Sequence, residues 1–302
     1  MEINIDQTKW YDRIWAAFIF FTRLPFWRFH KPPKECYRTV VEHWPLVGWL
    51  TGGVMAATFY LCSFIMPLYL ALLVAVVVRL LMTGALHEDG LCDFFDGFGG
   101  GGKDRQRILD IMKDPHIGTY GVLAIVCYLA LLFASLYAIA TSQFSDLSSQ
   151  FSVLSSQLNT PLGGLGGSPS QFSVLSSQLF PALVIFAADA YSKMLASQII
   201  MFLPYARTEQ TAKNKTVYRK MSVPAGISLF LQGILPLIPL LYIGTVTGLL
   251  RWDLLVFIPC LVMYFLYYMM MRRLRGYTGD CCGALFLLIE LSFYLTVTLQ
   301  LQ

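Results

Sequence analysis

The chain has 302 residues, 56% of them hydrophobic and only 13% charged, and its 22 Lys and Arg exceed its 18 Asp and Glu by four. With a mean hydropathy of +0.60, this composition excludes a water-soluble globular domain and leaves too few charges for a nucleic-acid surface. Seven cysteines (Cys36, Cys62, Cys92, Cys127, Cys260, Cys281 and Cys282) are scattered without a paired CxxC spacing, so they read as small hydrophobes or free thiols.

The N-terminal run MEINIDQTKWYDR is mixed in charge, and the apolar stretch Ile14 to Phe21 is too short to cross a bilayer. It predicts a helix lying in the membrane interface. Apolar windows of the ~20 residues that a bilayer core requires follow near 46–65, 67–86, 120–141, 180–203, 225–249, 253–271 and 283–300. The expectation is therefore an all-α, polytopic bundle of about seven transmembrane helices, one membrane-embedded catalytic domain over residues 1–302.

Lys and Arg collect in alternate connections. Arg23, Arg28, Lys31, Lys34 and Arg38 lie in 23–45; Lys103, Arg105, Arg107 and Lys113 in 87–119; Arg207, Lys213, Lys215, Arg219 and Lys220 in 204–224; and Arg272, Arg273 and Arg275 in 272–282. The other connections hold only Arg251. This asymmetry predicts a cytoplasmic N-terminus in a cell inner membrane.

The second connection opens with His87-Glu88-Asp89-Gly90-Leu91-Cys92-Asp93-Phe94-Phe95-Asp96-Gly97. On a helix Asp93 lies about 40° from Asp89, and Asp96 about 20° to the other side. Three carboxylates on one face repel one another unless a cation neutralises them, so Asp89, Asp93 and Asp96 are candidate ligands for a hard divalent ion, with a merely solvated helix end as the alternative. Gly97 and Gly99 to Gly102 follow, then Lys103, Arg105, Arg107 and Lys113. Glycines admit a bulky anion close to the backbone and the cations neutralise it, although a flexible loop or a topology signal has the same composition. Acids for a metal beside bases for phosphate point to phosphoryl chemistry that requires no covalent protein nucleophile.

Residues 142–179 break the compact pattern with three Ser-Gln-Phe-Ser units and a Gly-rich stretch ending at Pro169. Gly and Pro interrupt any heptad seam, so the segment is expected to be a flexible, dispensable low-complexity insertion. Charges also fall inside apolar windows, where each costs roughly 2.5 kcal/mol or more. Asp189 and Lys193 stand i, i+4, either as a self-satisfied ion pair or with Lys193 reaching a phosphate. Arg79 either snorkels or contacts an anion. Near the C-terminus, Gly276-Tyr277-Thr278-Gly279-Asp280-Cys281-Cys282-Gly283 suits a turn at a helix start, where Thr278 and backbone amides would meet phosphate and Asp280 would cap or bind metal. Glu290 lies ten residues further on.

Taken together, Phe21-Thr22-Arg23-Leu24-Pro25, Trp44-Pro45-Leu46-Val47-Gly48, the run from His87 to Gly97, Ile111-Met112-Lys113-Asp114, Ile117-Gly118-Thr119-Tyr120-Gly121, Tyr205-Ala206-Arg207 and the run from Gly276 to Asp280 with Gly283, Ala284 and Glu290 give the chain a specific likeness. It resembles the adenosylcobinamide-GDP ribazoletransferase family, also called cobalamin synthase, over most of its length, departing only at the insertion. The resemblance implies an inner-membrane transferase that joins adenosylcobinamide-GDP to α-ribazole or its 5′-phosphate and releases GMP, with Mg²⁺ required. On that reading Asp89, Asp93 and Asp96 hold Mg²⁺, and Glu88 or Asp280 assists as ligand or base. Arg79, Lys103, Arg105, Arg107, Lys113, Lys193 and Thr278 contact phosphates. His87 is either a further base or a locally bonded histidine, and Phe94 and Phe95 line a groove for the corrinoid.

Two rivals stand beside this. A CDP-alcohol phosphotransferase also spaces Asp residues on membrane helices, but its Asp-Gly-x-x-Ala-Arg run is absent here. A transporter would use Arg79, Asp189, Lys193 and Glu290 as an intramembrane path, yet no inverted repeat is visible. The bilayer is the expected partner, and a homo-oligomer is compatible with such a bundle.

Overall fold

A computed structural model describes residues 8–142, 169–208, 217–247 and 250–301. Helix α1 (Trp10–Phe21) buries Ala16, Ala17 and Phe21 and ends where Thr22 turns its hydroxyl back to the Phe18 carbonyl at 2.7 Å. Trp10, Trp27 and Phe29 around it are exposed, the aromatic dress of a membrane–water boundary. A ten-residue 3₁₀ helix, Lys34–His43, runs directly into α2 (Trp44–Cys62), whose second residue is proline, a residue suited to a first turn.

After Pro67 come α3 (Leu68–Thr83) and α4 (Leu86–Gly100). Between them Gly84 and Ala85 both take left-handed backbone, φ 66° and 55°, and the two helices lie at 86° to each other. The chain continues through α5 (Arg105–Ile111), capped by Asp104, and α6 (Thr119–Thr141). Beyond lie α7 (Pro169–Ser197), the single turn α8 (Ile199–Phe202), α9 (Val223–Ile234), α10 (Leu237–Thr247), α11 (Trp252–Arg273) and α12 (Gly279–Gln300).

Five helical stretches are long and apolar enough to cross a membrane: Lys34–Cys62, Thr119–Thr141, Gln178–Phe202, Trp252–Arg273 and Gly279–Gln300. The total reaches seven if each of two bent pairs is one span. The protein is thus a polytopic helical membrane protein, but the windows 67–86 and 225–249 are not straight rods. The first stops at Thr83 because Gly84 leaves the right-handed helix, and the second bends by 49° between α9 and α10. Of the low-complexity segment, residues 143–168 lie outside the described residues, whereas 169–179 are helical and open α7. All seven cysteines are free.

The core is built on α7 and α12, whose apolar windows are 83% and 78% buried, against 22% for α11 at the periphery. Helices α2 and α7 meet backbone to backbone, because a Cβ on Gly48 would lie 2.8 Å from the Ala190 Cα and one on Gly52 2.7 Å from the Asp189 Cβ. This four-residue spacing of glycines is a close-approach seam of the kind that replaces hydrophobic driving force inside lipid. At the seam Asp189 is ion-paired with Lys193 and accepts the Thr51 hydroxyl at 2.9 Å, while the Lys193 ammonium sits 3.8 Å from the Phe286 ring centre. A second buried cluster ties α3, α6 and α12 together. Arg79 Nη1 donates to Glu290 Oε1 at 2.5 Å and Nη2 to the Tyr128 hydroxyl at 3.0 Å, and the Tyr294 hydroxyl donates to Glu290 at 3.2 Å. Each of the four buried charges Arg79, Asp189, Lys193 and Glu290 thus has a partner of opposite sign.

Gly52→Val, facing backbone and Cβ atoms that cannot move aside, is expected to cost roughly 1–3 kcal/mol, read as a lower Tm in detergent; an unchanged Tm contradicts the seam. Glu290→Leu strands the Arg79 guanidinium and is expected to cost about 3–5 kcal/mol, much of it regained in the Arg79→Leu, Glu290→Leu double variant. Additive losses in that double-mutant cycle would show that the two residues do not act as a pair.

Candidate active site

Helix α4 is continuous through the acidic packet, so Asp89 and Asp93 stand one turn apart on the same flank. It lies against the first turns of α12, where a Cβ on Gly90 would be 3.0 Å from the Asp280 carbonyl oxygen and one on Gly283 would be 3.2 Å from that of His87. Two glycines, one in each packet, therefore let the packets touch. Thr278 caps α12, accepting the Cys281 amide at 3.3 Å and placing its hydroxyl 3.4 Å from Asp280 Oδ2.

A third segment is pinned alongside. Ala206 N donates to the Tyr277 carbonyl at 2.7 Å and Tyr277 N to that of Pro204 at 3.0 Å. Arg105 spans the junction, donating to the Leu274 carbonyl at 2.7 Å and to that of Ala206 at 2.9 Å, and Arg207 reaches the Leu109 carbonyl at 2.7 Å. These stitches close a cavity of about 120 Å³ whose lining includes Asp89, Asp280, Thr278, Arg207, Tyr205 and His87. Its walls draw on all four of the Lys- and Arg-rich connections, which therefore converge at one end of the bundle.

The sequence-predicted residues divide on this geometry. Asp89, Asp280 and Thr278 line the cavity. Asp93 is half-buried one turn along α4, and Glu88 is buried with its Oε2 lacking any hydrogen-bond partner. Asp96 instead accepts the amides of Gly118 at 2.7 Å and Gly121 at 2.9 Å. It serves as the N-terminal cap that Gly118 has no side chain to supply, and its charge sits at the positive end of α6. Asp96 is thus engaged by the start of α6, and among the described residues no three His, Cys, Asp or Glu side chains form a group able to hold a metal.

Of the predicted cations, Lys103, Arg107 and Lys113 are exposed, with no carboxylate partner among the described residues. Arg105 is spent on carbonyls, while Arg79 and Lys193 are closed into buried ion pairs away from the cavity. Sequence reasoning did not single out Arg207, Tyr205, Tyr218 or Trp44 as site residues. Their only signal was membership of the resemblance motifs Tyr205-Ala206-Arg207 and Trp44-Pro45, and Tyr218 had none. Burial, reinforced by Cys282 and Asp280, pushes the Tyr205 phenol up to about 12, so near neutral pH it is a donor.

On the opposite flank of α4, about 180° from Asp89 at Phe98, an apolar groove of about 700 Å³ runs between α4, α11 and α12. Phe94, Phe95, Phe98, Phe265 and Leu288 line it, and the Arg273 guanidinium lies at 5.1 Å from the Phe98 ring centre.

Comparison with known proteins fits this arrangement. A family model described as cobalamin-5-phosphate synthase matches residues 13–162 and 165–298. Among curated relatives, the adenosylcobinamide-GDP ribazoletransferase of Leptospira interrogans is 28% identical, over 99% of this chain and 98% of its own. Those of Vibrio parahaemolyticus and Shewanella woodyi are 31% and 30% identical, over 93% and 91% of this chain and 89% and 91% of their own. No solved structure matches. With a family match running almost end to end and both packets meeting at one cavity, the chain belongs to the cobalamin-5-phosphate synthase family.

Proposed function

We propose that the protein is an adenosylcobinamide-GDP ribazoletransferase that works in the cavity between α4 and α12, on the cytoplasmic face of the inner membrane. The observation that carries this reading is the convergence of Asp89, Asp280, Thr278 and Arg207 on one cavity in a chain of this family. In the reaction, a ribose hydroxyl oxygen of α-ribazole or its 5′-phosphate bonds to the phosphorus that carries the cobinamide. The bond from that phosphorus to the GMP oxygen breaks, and GMP leaves with the electron pair. Asp280, oriented by the Thr278 hydroxyl, is the group assigned to take the hydroxyl proton.

The donor set suits Mg²⁺, which is commonly bound through one or two carboxylates plus substrate phosphates and keeps several waters. A cavity-lining Asp89, with Asp93 one turn away on the same flank, supplies that. When bound, the ion would neutralise charge on the pyrophosphate. Arg207 at the wall, with exposed Lys103, Arg107 and Lys113 nearby in sequence to the acidic helix, would hold the phosphates by charge. Arg79, Lys193 and Arg105 are assigned to the scaffold. The excess of Lys and Arg on the cavity's side of the bundle supports a cytoplasmic site.

Purified protein in detergent is expected to release GMP from adenosylcobinamide-GDP only when α-ribazole or its 5′-phosphate is present, to lose that activity on chelation of divalent ions, and to regain it with Mg²⁺. In Asp89→Asn the Mg²⁺ concentration for half-maximal turnover should rise at least about tenfold; an unshifted requirement removes Asp89 from the metal site. Asp280→Asn should lower kcat by about 10²–10⁴-fold, and wild-type turnover in that variant would end its role as base.

A further inference from the structure

The apolar groove on the far flank of α4 opens to the outside of the bundle. Leu261 and Phe265 on its α11 wall are exposed, as are Phe257 and Tyr264 on the same helix, so α11 presents this side to lipid. An empty apolar groove at membrane depth forfeits dispersion along every wall, and hydrocarbon therefore fills it. From Leu261 to Arg273 the groove follows twelve steps of α11, about 18 Å at ~1.5 Å per residue. One leaflet contributes ~15 Å, half of a ~30 Å hydrocarbon core. The groove thus has the reach of a single acyl chain and is too short for a helix that crosses the whole bilayer.

Its two ends differ. Leu261 and Leu295 make the far end wholly apolar, whereas Arg273 stands at the end where the Lys- and Arg-rich connections meet, its guanidinium 5.1 Å from the Phe98 ring centre and its Nη2 donating to the Gly102 carbonyl. Guanidinium carries five N–H donors, so that bond leaves others for an anion. Arg272 and Arg275, both exposed, flank it in sequence and add to the positive field. Asp104, the acid nearest to Gly102 in sequence, is turned to the start of α5, where it accepts the amides of Gln106 and Arg107. Between the two ends the walls are nearly without polar groups, and the Ser292 hydroxyl is committed to the Ile289 carbonyl at 2.6 Å. A corrinoid carries amides around its rim, and burying them against such walls would leave them unpaired. A hydrocarbon chain that ends in a phosphate matches the groove in both length and polarity.

We propose that this groove is a binding site for one anionic phospholipid of the leaflet on the Lys- and Arg-rich side, with an acyl chain lying against Phe95, Phe265 and Leu288 and the phosphate on Arg273. The lipid then braces α4 on the flank opposite Asp89. Its binding is read without turnover, so it stands or falls separately from the transferase reading.

The test is native mass spectrometry of the full chain released from detergent micelles that contain equal amounts of phosphatidylglycerol and phosphatidylcholine with the same acyl chains. Wild type should retain one lipid and prefer phosphatidylglycerol by about tenfold, the effect of one or two cations beside an anionic headgroup. Arg273→Gln should still retain one lipid but lose the preference. Leu261→Trp, which fills the far end of the groove from an exposed position, should lose the retained lipid altogether. Equal retention of the two lipids by wild type overturns the proposal, and this arm needs no variant that folds. A preference that survives Arg273→Gln, or a lipid kept in full by Leu261→Trp, puts the lipid elsewhere and overturns it as well. A lipid-free dimer, or displacement of phosphatidylglycerol by adenosylcobinamide, would overturn it in favour of a second copy of the chain or of the corrinoid.

Discussion

Where α4 crosses the first turns of α12, side-chain-free positions on both helices bring backbones to within what a single methyl group would fill. A Cβ on Gly90 would meet the Asp280 carbonyl at 3.0 Å and one on Gly283 the His87 carbonyl at 3.2 Å. Dispersion is short-ranged, so an approach this close is what lets two apolar helices adhere in a solvent as apolar as themselves. Everything polar in the site hangs on that crossing. It sets Asp89 beside Asp280, and through Thr278 and Tyr277 it draws in the strand-like contact with residues 204–206 that carries Arg207.

The crossing itself needs rigid supports, and the protein supplies them by burying complete ion pairs. Arg79 with Glu290, and Lys193 with Asp189, are each nearly or wholly removed from solvent. Isolated, any one of these charges would be prohibitive at membrane depth. Paired and further bonded to Tyr128, Tyr294 or Thr51, they lock the relative depth of α2, α3, α6, α7 and α12 in a way that interchangeable apolar contacts do not. Intramembrane charges thus make the scaffold that holds the cavity in place.

How much of this was legible in the sequence follows from what kind of force each feature obeys. Membrane segments are governed by hydropathy over ~20 residues, a local sum, and each of the five straight spans coincides with an expected window. The bend at Gly84 and Ala85 was not, because left-handed backbone at an alanine has no compositional mark. Helical spacing correctly put Asp89 and Asp93 on one flank. It also put Asp96 there, and missed that its carboxylate answers the amides of Gly118 and Gly121, 22 and 25 residues away. Arg105 was read as a phosphate ligand because its charge is local information, whereas the carbonyls of Leu274 and Ala206 that occupy it are brought by tertiary folding. Trp44 and Tyr218 carry no chemical pattern at all and become site residues only through the walls they share.

Helix α4 is also a partition. Its carboxylate flank faces a polar cavity and its phenylalanine flank faces an oily groove of about 700 Å³. Each residue advances the helix by about 100°, so the insertion or loss of a single amino acid between the Gly84 corner and Asp89 would rotate ionised groups toward hydrocarbon and benzyl rings toward water. Intolerance to frame-preserving insertions or deletions should therefore mark these few positions, an evolutionary signature that belongs to a wall between two solvents.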